Sequence, residues 1–267
     1  MSTSSFPQLT GRAVWPVRLA SASLWIIGVG VLLVILSGPL TRMGLVKFGP
    51  GLLTLAAGGA LLAIGIRTGE IGWIGSARKN VPIRAGSVAI ALIVALALFG
   101  YLLSQFVRAT GVPPIHEIST DLADPPAFVK IRSLRAAVPD VNPVDYVVEQ
   151  RSGSDGGTLN VPDAQRKSYP DIQPLTLDLS AADAFARAET VARDLGWEIQ
   201  ESAAAEGRLE ATATTTFFGF KDDVVVRVRS EAGGSRIDIR SKSRVGLGDA
   251  GANAARVRAF LAAMQKS

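Results

Sequence analysis

The sequence contains no cysteine and a single histidine, His116. Without cysteine the chain forms no disulfide, so a domain outside the membrane must be held together by its own core. Zinc and other transition-metal sites normally draw on two or more His or Cys ligands, which this chain does not supply. The composition therefore predicts no metal site and no cofactor.

Acidic residues are almost missing from the first part of the chain. Residues 1–111 hold nine Lys or Arg and one acid, Glu70, whereas residues 112–267 hold 19 basic and 22 acidic residues. Basic residues that flank apolar stretches are typical of a membrane surface and not of a nucleic-acid interface. We therefore predict membrane lipids, and no nucleic acid, as partners of the first part.

Three apolar runs, at residues 19–40, 48–66 and 85–107, are long enough to cross a bilayer. None contains Asp, Glu, Lys, Arg or His, which transporters and proton relays place inside their helix bundles. Small residues recur four apart in the second run, and this spacing favours close helix packing. We interpret residues 19–111 as a three-helix membrane anchor that could also form a homo-oligomer. The alternative is a lipid or quinone pocket between the helices.

The Lys and Arg residues near the ends of these runs predict the orientation of the helices. Six of them lie on the side that holds the N-terminus and a loop at residues 67–84, against three on the opposite side. Short cytoplasmic segments are enriched in basic residues. We therefore expect residues 1–18 in the cytoplasm and residues 112–267 outside the cytoplasmic membrane.

Residues 112–174 are predicted to form an extended strap followed by a long loop. Four prolines between Val112 and Phe128 are incompatible with a regular helix or a central strand. Residues 151–174 are rich in Gly, Pro and Asp and show no apolar periodicity, which favours a loop.

The remaining chain, residues 175–267, shows the pattern of an α+β domain. Antiparallel strands with helices on one face form a two-layer sandwich. We expect an antiparallel sheet of about five strands with two helices on one face. The pattern predicts a strand, a helix, four strands and a helix, at residues 175–179, 181–195, 197–202, 208–216, 223–229, 235–245 and 253–264.

The hairpin of the last two strands predicts which side chains face the helices. Pairing Arg229 with Arg236 across the EAGG turn directs the alternating Val and Ile side chains toward the helices. The other face then carries a series of charges, with Asp223 opposite Lys242. We expect this basic face to point outward.

The stretch between Arg240 and Arg256 combines cations, glycines and a helix start. Free N–H groups at a helix start, with arginines close by, can bind an oxyanion. Asp249 could instead cap the helix, and the stretch would then be a structural elbow. The glycine spacing matches neither a P-loop nor a dinucleotide fingerprint. The candidate residues for binding an anion or a partner are Arg240, Lys242, Arg244, Asp249, Asn253 and Arg256.

Four other residues, His116, Asp121, Asp222 and Asp223, are secondary candidates. Catalysis through His116 would require a nearby acid or an activated serine such as Ser241, but the sequence has no GxSxG elbow. Asp222 and Asp223 are either strand residues matched to basic neighbours or a paired-carboxylate site. We predict no catalytic residue.

Four separated motifs run through the second part of the chain: PPIHEISTDLADPPAF at 113–128, YPDIQPL at 169–175, FFGFKDDVVVRV at 217–228 and RSKSRVGLGDAGANAARVRAF at 240–260. They resemble, in the same order, the bacterial family catalogued as domain of unknown function 1499. The resemblance covers about residues 112–265, includes the N-terminal membrane spans that members often carry, and implies no activity. It implies that the family's motif positions include Asp222, Asp223, Arg240, Ser241, Arg244, Gly246, Asp249, Asn253 and Arg256.

These observations together predict a non-catalytic binding or assembly module of the bacterial cell envelope. It would be anchored in the inner membrane with its C-terminal domain in the periplasm or outside the cell. Its partners would be membrane lipids and an envelope protein or anionic envelope ligand. The alternatives are an envelope hydrolase that uses His116 and nearby acids, and lipid or quinone handling by the membrane helices.

Overall fold

The computed structural model describes residues 11–136, 138–152 and 157–266. The chain divides into a helical unit, Met1–Val107 with Phe217–Gly219, and an α+β unit, Arg108–Thr216 with Phe220–Ser267. The first ten residues of the predicted cytoplasmic segment, and residues 153–156 of the predicted long loop, lie outside the described residues.

The helical unit consists of three long helices, α1 (Gly11–Arg42), α2 (Phe48–Lys79) and α3 (Ala85–Thr110). Each is long and apolar enough to cross a membrane, which confirms the three predicted spans as candidate transmembrane helices.

Helix α2 continues well beyond its predicted apolar span. The prediction of a loop at residues 67–84 is therefore wrong as far as Lys79. Arg67 and Glu70 form an i, i+3 ion pair of 2.7 Å, which favours continuation of the helix. The helix ends at Lys79 and is followed by Asn80, which has the left-handed conformation (φ 50°) of a C-terminal cap.

Glycines allow α1 and α2 to approach closely. A Cβ atom on Gly58 would lie 2.9 Å from the carbonyl oxygen of Gly30, and one on Gly30 would lie 3.1 Å from that of Gly58. Gly59, also in the second run, instead faces Leu102 of α3. The small residues of this run therefore serve helix packing.

The α+β unit contains the remaining elements. Its helices are α4 (Lys130–Ala136), α5 (Val161–Ser168), α6 (Ala181–Asp194) and α7 (Ala252–Lys266). Its strands are β1 (Glu117–Ser119), β2 (Glu149–Ser152), β3 (Gly157–Asn160), β4 (Leu175–Leu177), β5 (Glu198–Ala203), β6 (Arg208–Thr214), β7 (Lys221–Glu231) and β8 (Gly234–Ser243).

Six of these strands form one antiparallel sheet in the order β1–β8–β7–β6–β5, with β4 also paired to β8. Strands β2 and β3 form a separate hairpin. The predicted α+β class and the sheet of about five strands are thereby confirmed.

Helices α6 and α7 cover one face of the sheet, as predicted. Ser180 caps α6 by accepting a hydrogen bond from the N–H of Asp183 (3.1 Å), and Trp197 stacks on Phe260 of α7 with 5.5 Å between ring centroids. The core beneath the helices includes Phe185, Val191, Val224, Val226, Val228, Ile237, Ile239, Val257 and Phe260.

The predicted register of the β7–β8 hairpin is correct. Arg229 faces Arg236, and Asp223 faces Lys242. The expectation that the charged face points outward is wrong, because Asp223 and Lys242 are both fully buried and Arg240 is only 2% exposed.

The residues that cover this charged face come from the predicted strap. Phe128 and Ile131 of the strap pack against Val225 of β7 in a second small core. Strand β1 pairs with the edge of β8, so that Glu117 lies opposite Lys242. We refer to residues 117–147 as the cover segment.

The prediction of a loop at residues 151–174 is wrong, because β3 and α5 lie within it, whereas residues 112–128 contain only the short edge strand β1. The four prolines lie between the elements, and buried side chains such as Ile118 hold β1 in the sheet. In the predicted loop, Asn160 caps α5 by accepting from the N–H of Asp163, and Pro162 occupies the first turn of that helix.

Candidate functional site

The six primary candidates lie along the end of β8, in the following turn and on the first turns of α7. Within the turn, Gly246, Ala250 and Gly251 have positive φ values of 89°, 53° and 83°. This conformation reverses the chain from the strand into the helix. We refer to residues 240–256 as the corner.

Arg240 and Lys242 project into the buried charged layer beneath the cover segment. Both form ion pairs with the carboxylate of Glu117. The Nζ of Lys242 lies 3.0 Å from the Oε2 of Glu117. Arg240 also donates to the carbonyl oxygens of Pro126 (3.1 Å) and Val144 (2.7 Å). The cations of β8 therefore hold the cover segment through both its side chains and its backbone.

Lys242 has a strongly perturbed ionisation equilibrium. Burial lowers its pKa to about 8; pairing with Glu117 opposes the shift, and the nearby cations Arg240 and Arg135 add to it. Its ammonium group also donates to the carbonyl oxygen of Asp145 (2.6 Å). The group is thus fully enclosed by partners within the chain.

Asp223 is the second anion of this layer. It accepts from Arg135 at 2.6 Å and from Arg244 at 2.7 and 2.9 Å. Burial would raise the pKa of Asp223, but Arg244 and Arg135 outweigh it and hold the pKa below its usual value. Arg135 also donates to the carbonyl oxygens of Asn142 and Lys242.

Asp222 belongs to a separate network on the helix-facing side. Its carboxylate pairs with Arg256 at 2.6 Å, and Arg256 also donates to the side-chain oxygens of Asn253 (2.6 Å) and Ser241 (3.0 Å). The amide of Asn253 donates to the carbonyl oxygen of His116 (3.1 Å). Asp222 and Asp223 therefore have different partners and do not form a carboxylate pair.

Asp249 occupies the start of α7. Its carboxylate accepts from the N–H groups of Gly251 and Asn253, both at 2.8 Å. Burial raises the pKa of Asp249, although these two hydrogen bonds oppose the shift. The position that an oxyanion would take at this helix start is filled by the protein's own carboxylate, which supports the structural-elbow interpretation.

His116 is buried in the α+β unit, with 4% of its surface exposed. Neither ring nitrogen has a hydrogen-bond partner among the described residues. Burial lowers the pKa of His116, and the nearby charge of Lys242 adds to the shift; Glu117, the carbonyl of Leu247 and Gln150 oppose it without cancelling it.

The hydrolase hypothesis requires the His116 imidazole beside Asp222 or Ser241. Instead, the Ser241 hydroxyl donates to the side-chain oxygen of Asn253 (2.6 Å), and His116 contributes its backbone carbonyl to this network. The α+β unit carries a cleft of about 210 Å³ beside Arg208 and Arg227, and none of its lining residues is a candidate.

Asp121 lies at the opposite end of the charged layer. It accepts from Arg236 (2.8 Å) and Arg227 (3.4 Å), and from the N–H groups of Ala123 and Asp124. Burial raises the pKa of Asp121, but these donors outweigh it and the pKa is lowered. Across residues 11–136, 138–152 and 157–266, no three His, Cys, Asp or Glu side chains lie together as metal ligands would.

Three important residues were absent from the predicted set. Glu117 and Arg135 are central to the charged layer, and the carboxylate of Glu210 accepts from the N–H groups of Val129 (2.8 Å) and Ile131 (2.8 Å) at the start of α4. Glu117 gave no strand-like signal, because the apolar residues nearest to it, Ile115 and Ile118, are three positions apart. Arg135 and Glu210 gave none either.

The sequence profile of the family described as "Protein of unknown function (DUF1499)" matches residues 117–264, more than half of the chain. The match begins at the start of β1 and ends within α7, so it spans the cover segment, the sheet and both helices. No curated protein matches the sequence.

Proposed function

Since the chain belongs to the DUF1499 family of proteins of unknown function, we propose its function from its geometry. It is a non-catalytic assembly module of the bacterial cell envelope. Its three helices anchor the α+β domain in the cytoplasmic membrane, and the domain binds an envelope protein on the far side of that membrane.

The observation that supports this proposal is that the cations of the corner are paired within the chain, whereas the tip of its turn is exposed and apolar. The corner cations are occupied by partners within the chain, whereas Leu247, at the tip of the turn, is 52% exposed. Asn142 donates to the carbonyl of Gly246 (2.9 Å), and Gln150 donates to that of Leu247. An apolar side chain on a fixed loop favours protein binding, because little conformational freedom is lost on association.

Backbone strain in the turn supports the same role. Ala250 holds a left-handed conformation (φ 53°), which costs a non-glycine residue about 1 kcal/mol. The surrounding hydrogen bonds, including those accepted by Asp249, maintain this conformation. Such strain concentrates at binding and switch regions.

The arginines of the corner already pair with carboxylates of the chain, and this favours a protein partner over an anionic ligand. An anion at Arg244 would have to displace Asp223, and one at Arg256 would have to displace Asp222. Losing Arg256 would leave the buried Asp222 carboxylate unpaired, at a cost of about 3–5 kcal/mol. Losing Arg244 would leave Asp223 with one cation, Arg135, in place of two. The apolar turn can bind a protein without breaking these pairs.

The extracytoplasmic location rests on the excess of Lys and Arg on the side of the bundle that holds residues 67–84. Protease added to intact spheroplasts is expected to digest the α+β unit and leave the helices. Protection of the α+β unit until the cells are lysed would refute this orientation.

A photo-crosslinking amino acid in place of Leu247 tests the binding role in cells. We expect a discrete protein adduct at this position and none when the same group replaces Val129, an apolar residue of similar exposure (54%) in the same unit. Leu247→Asp should also abolish co-purification of the captured protein, whereas Val129→Asp should not. Crosslinks to lipid alone, or equal adducts at both positions, would overturn the proposal.

A further inference from the structure

Helix α2 is much longer than the hydrocarbon layer that it crosses. Its 32 residues span about 48 Å, against about 30 Å for the apolar core of a bilayer. The first charged residue of the helix is Arg67, so residues 67–79 extend past the hydrocarbon into the headgroup region. The neighbouring start of α3 lies at this same end of the helical unit.

A cleft of about 490 Å³ opens there between α1 and the start of α3. Helix α3 packs loosely: within it, only Val88 and Ala95 are buried among the described residues. The cleft is lined by both apolar and polar groups, and the polar ones include the Ser21 hydroxyl, one indole and one guanidinium. Its lining residues are Val17, Ala20, Ser21, Leu24, Trp25, Pro82, Ile83, Arg84 and Val88.

A second cleft of about 400 Å³ lies on the other side of the short connection between α2 and α3. The two clefts share Pro82 and Ile83 as a common wall, and Trp73 lines the second one. The second cleft lies at headgroup depth, whereas the first also reaches the hydrocarbon, since Leu24 and Val88 belong to the apolar runs.

The charge at the cleft matches a phosphate group. Arg84 is exposed, and no described residue forms an ion pair with it. Trp25 is 80% exposed, as expected of an indole at the membrane–water interface. A guanidinium binds two phosphate oxygens at once, which a neutral ligand such as a quinone cannot exploit.

We propose that this cleft is a binding site for an anionic phospholipid. The phosphate pairs with Arg84, the glycerol region lies beside Trp25 and Ser21, and the upper acyl chains contact Leu24 and Val88. This site belongs to the helical unit and is independent of the binding role assigned to the α+β unit.

Native mass spectrometry of the full-length protein in detergent tests the proposal, with phosphatidylglycerol and phosphatidylcholine as defined probes. We expect preferential retention of phosphatidylglycerol, reduced about fivefold by Arg84→Gln. Ser21→Phe, which fills the cleft without a change of charge, should reduce retention of both lipids. Arg108→Gln, the loss of one charge at the other end of α3, is the matched control and should have no effect.

Four outcomes would overturn the proposal. Equal losses from Arg84→Gln and Arg108→Gln would indicate general attraction to basic residues and no defined site. Normal retention by Ser21→Phe would exclude the cleft. Displacement of phosphatidylglycerol by inorganic phosphate alone would assign the site to a free anion, and preferential retention of a quinone would assign it to a neutral ligand.

Discussion

Replacement of Glu117 by Gln should strongly destabilise the α+β unit. The Glu117 carboxylate is 1% exposed and pairs with two cations, Arg240 and Lys242, which are themselves almost completely buried. It also accepts from the N–H of Val147 (3.2 Å). A neutral amide retains hydrogen-bonding capacity but not the charge that compensates the two cations.

The expected cost is about 3–5 kcal/mol, the range for removing one partner of a buried ion pair. Lys242 can limit this cost by releasing its proton, because its pKa is already lowered to about 8. Arg240 cannot do so, since a guanidinium remains protonated in proteins. The loss should therefore stay large at neutral pH.

The assay is urea unfolding of the detergent-solubilised chain, followed by pulse proteolysis of the α+β unit. Glu206→Gln is the matched control, because Glu206 is 64% exposed and its partner Arg208 keeps two other carboxylates, Glu201 and Glu210. That change should cost less than about 1 kcal/mol. Equal effects of the two substitutions would show that the charged layer is not buried, and the reasoning would fail.

Raising the pH from 8 to 10 should stabilise the fold by about 2 kcal/mol. The pKa of Lys242 is about 8 in the folded chain and near 10.5 in the unfolded chain, so the unfolded state binds more protons in this pH range. The Lys242→Met variant should not show this rise, and an equal rise in the variant would contradict the assignment. Asp223→Asn should cost about 3–5 kcal/mol in urea unfolding, whereas Asp171→Asn, at an ion pair that is half exposed, should cost less than about 1 kcal/mol. His116→Phe should leave the unfolding free energy unchanged or higher at pH 7, since no hydrogen bond of the ring is lost. Below pH 6.5 the wild type should lose up to about 1.4 kcal/mol per pH unit relative to this variant, because the lowered pKa of His116 means that the unfolded state takes up the proton first; parallel pH profiles would contradict this.

The helix-facing half of the domain was predictable because it follows periodic rules. Alternation in β7 and β8 specified the pairing of Arg229 with Arg236, and the spacing of apolar residues specified α6 and α7. Register follows from burial of one face, since a shift by one residue would expose every Val and Ile of that face.

The charged face could not be predicted from β7 and β8 alone. A run such as Arg236–Lys242 has the same alternation whether its polar side faces water or a second layer. The layer that covers it is held by long-range contacts of Glu117 and Arg135 with β7 and β8, and by backbone carbonyls that carry no sequence signal. Sequence periodicity does not encode contacts of this kind.

The corner illustrates the same limit. Its residue types were compatible with an anion site or with an elbow, and only the positions of their partners distinguish the two. Asp249 at the helix start and Asp222 beside Arg256 favour the elbow. Conversely, α2 was predicted too short because a charged but helix-compatible segment was interpreted as a loop.

The most direct test of the account is the reactivity of Lys242 toward an amine-acylating reagent in the intact, unmodified chain. If the cover segment encloses the charged face, Lys242 should remain unlabelled in the folded protein, while the exposed Lys167 reacts, and should become labelled only in urea. A lysine with a pKa of about 8 would react faster than ordinary lysines if it were accessible. Labelling of Lys242 in the folded chain at or above the rate of Lys167 would contradict the buried charged layer on which the account depends.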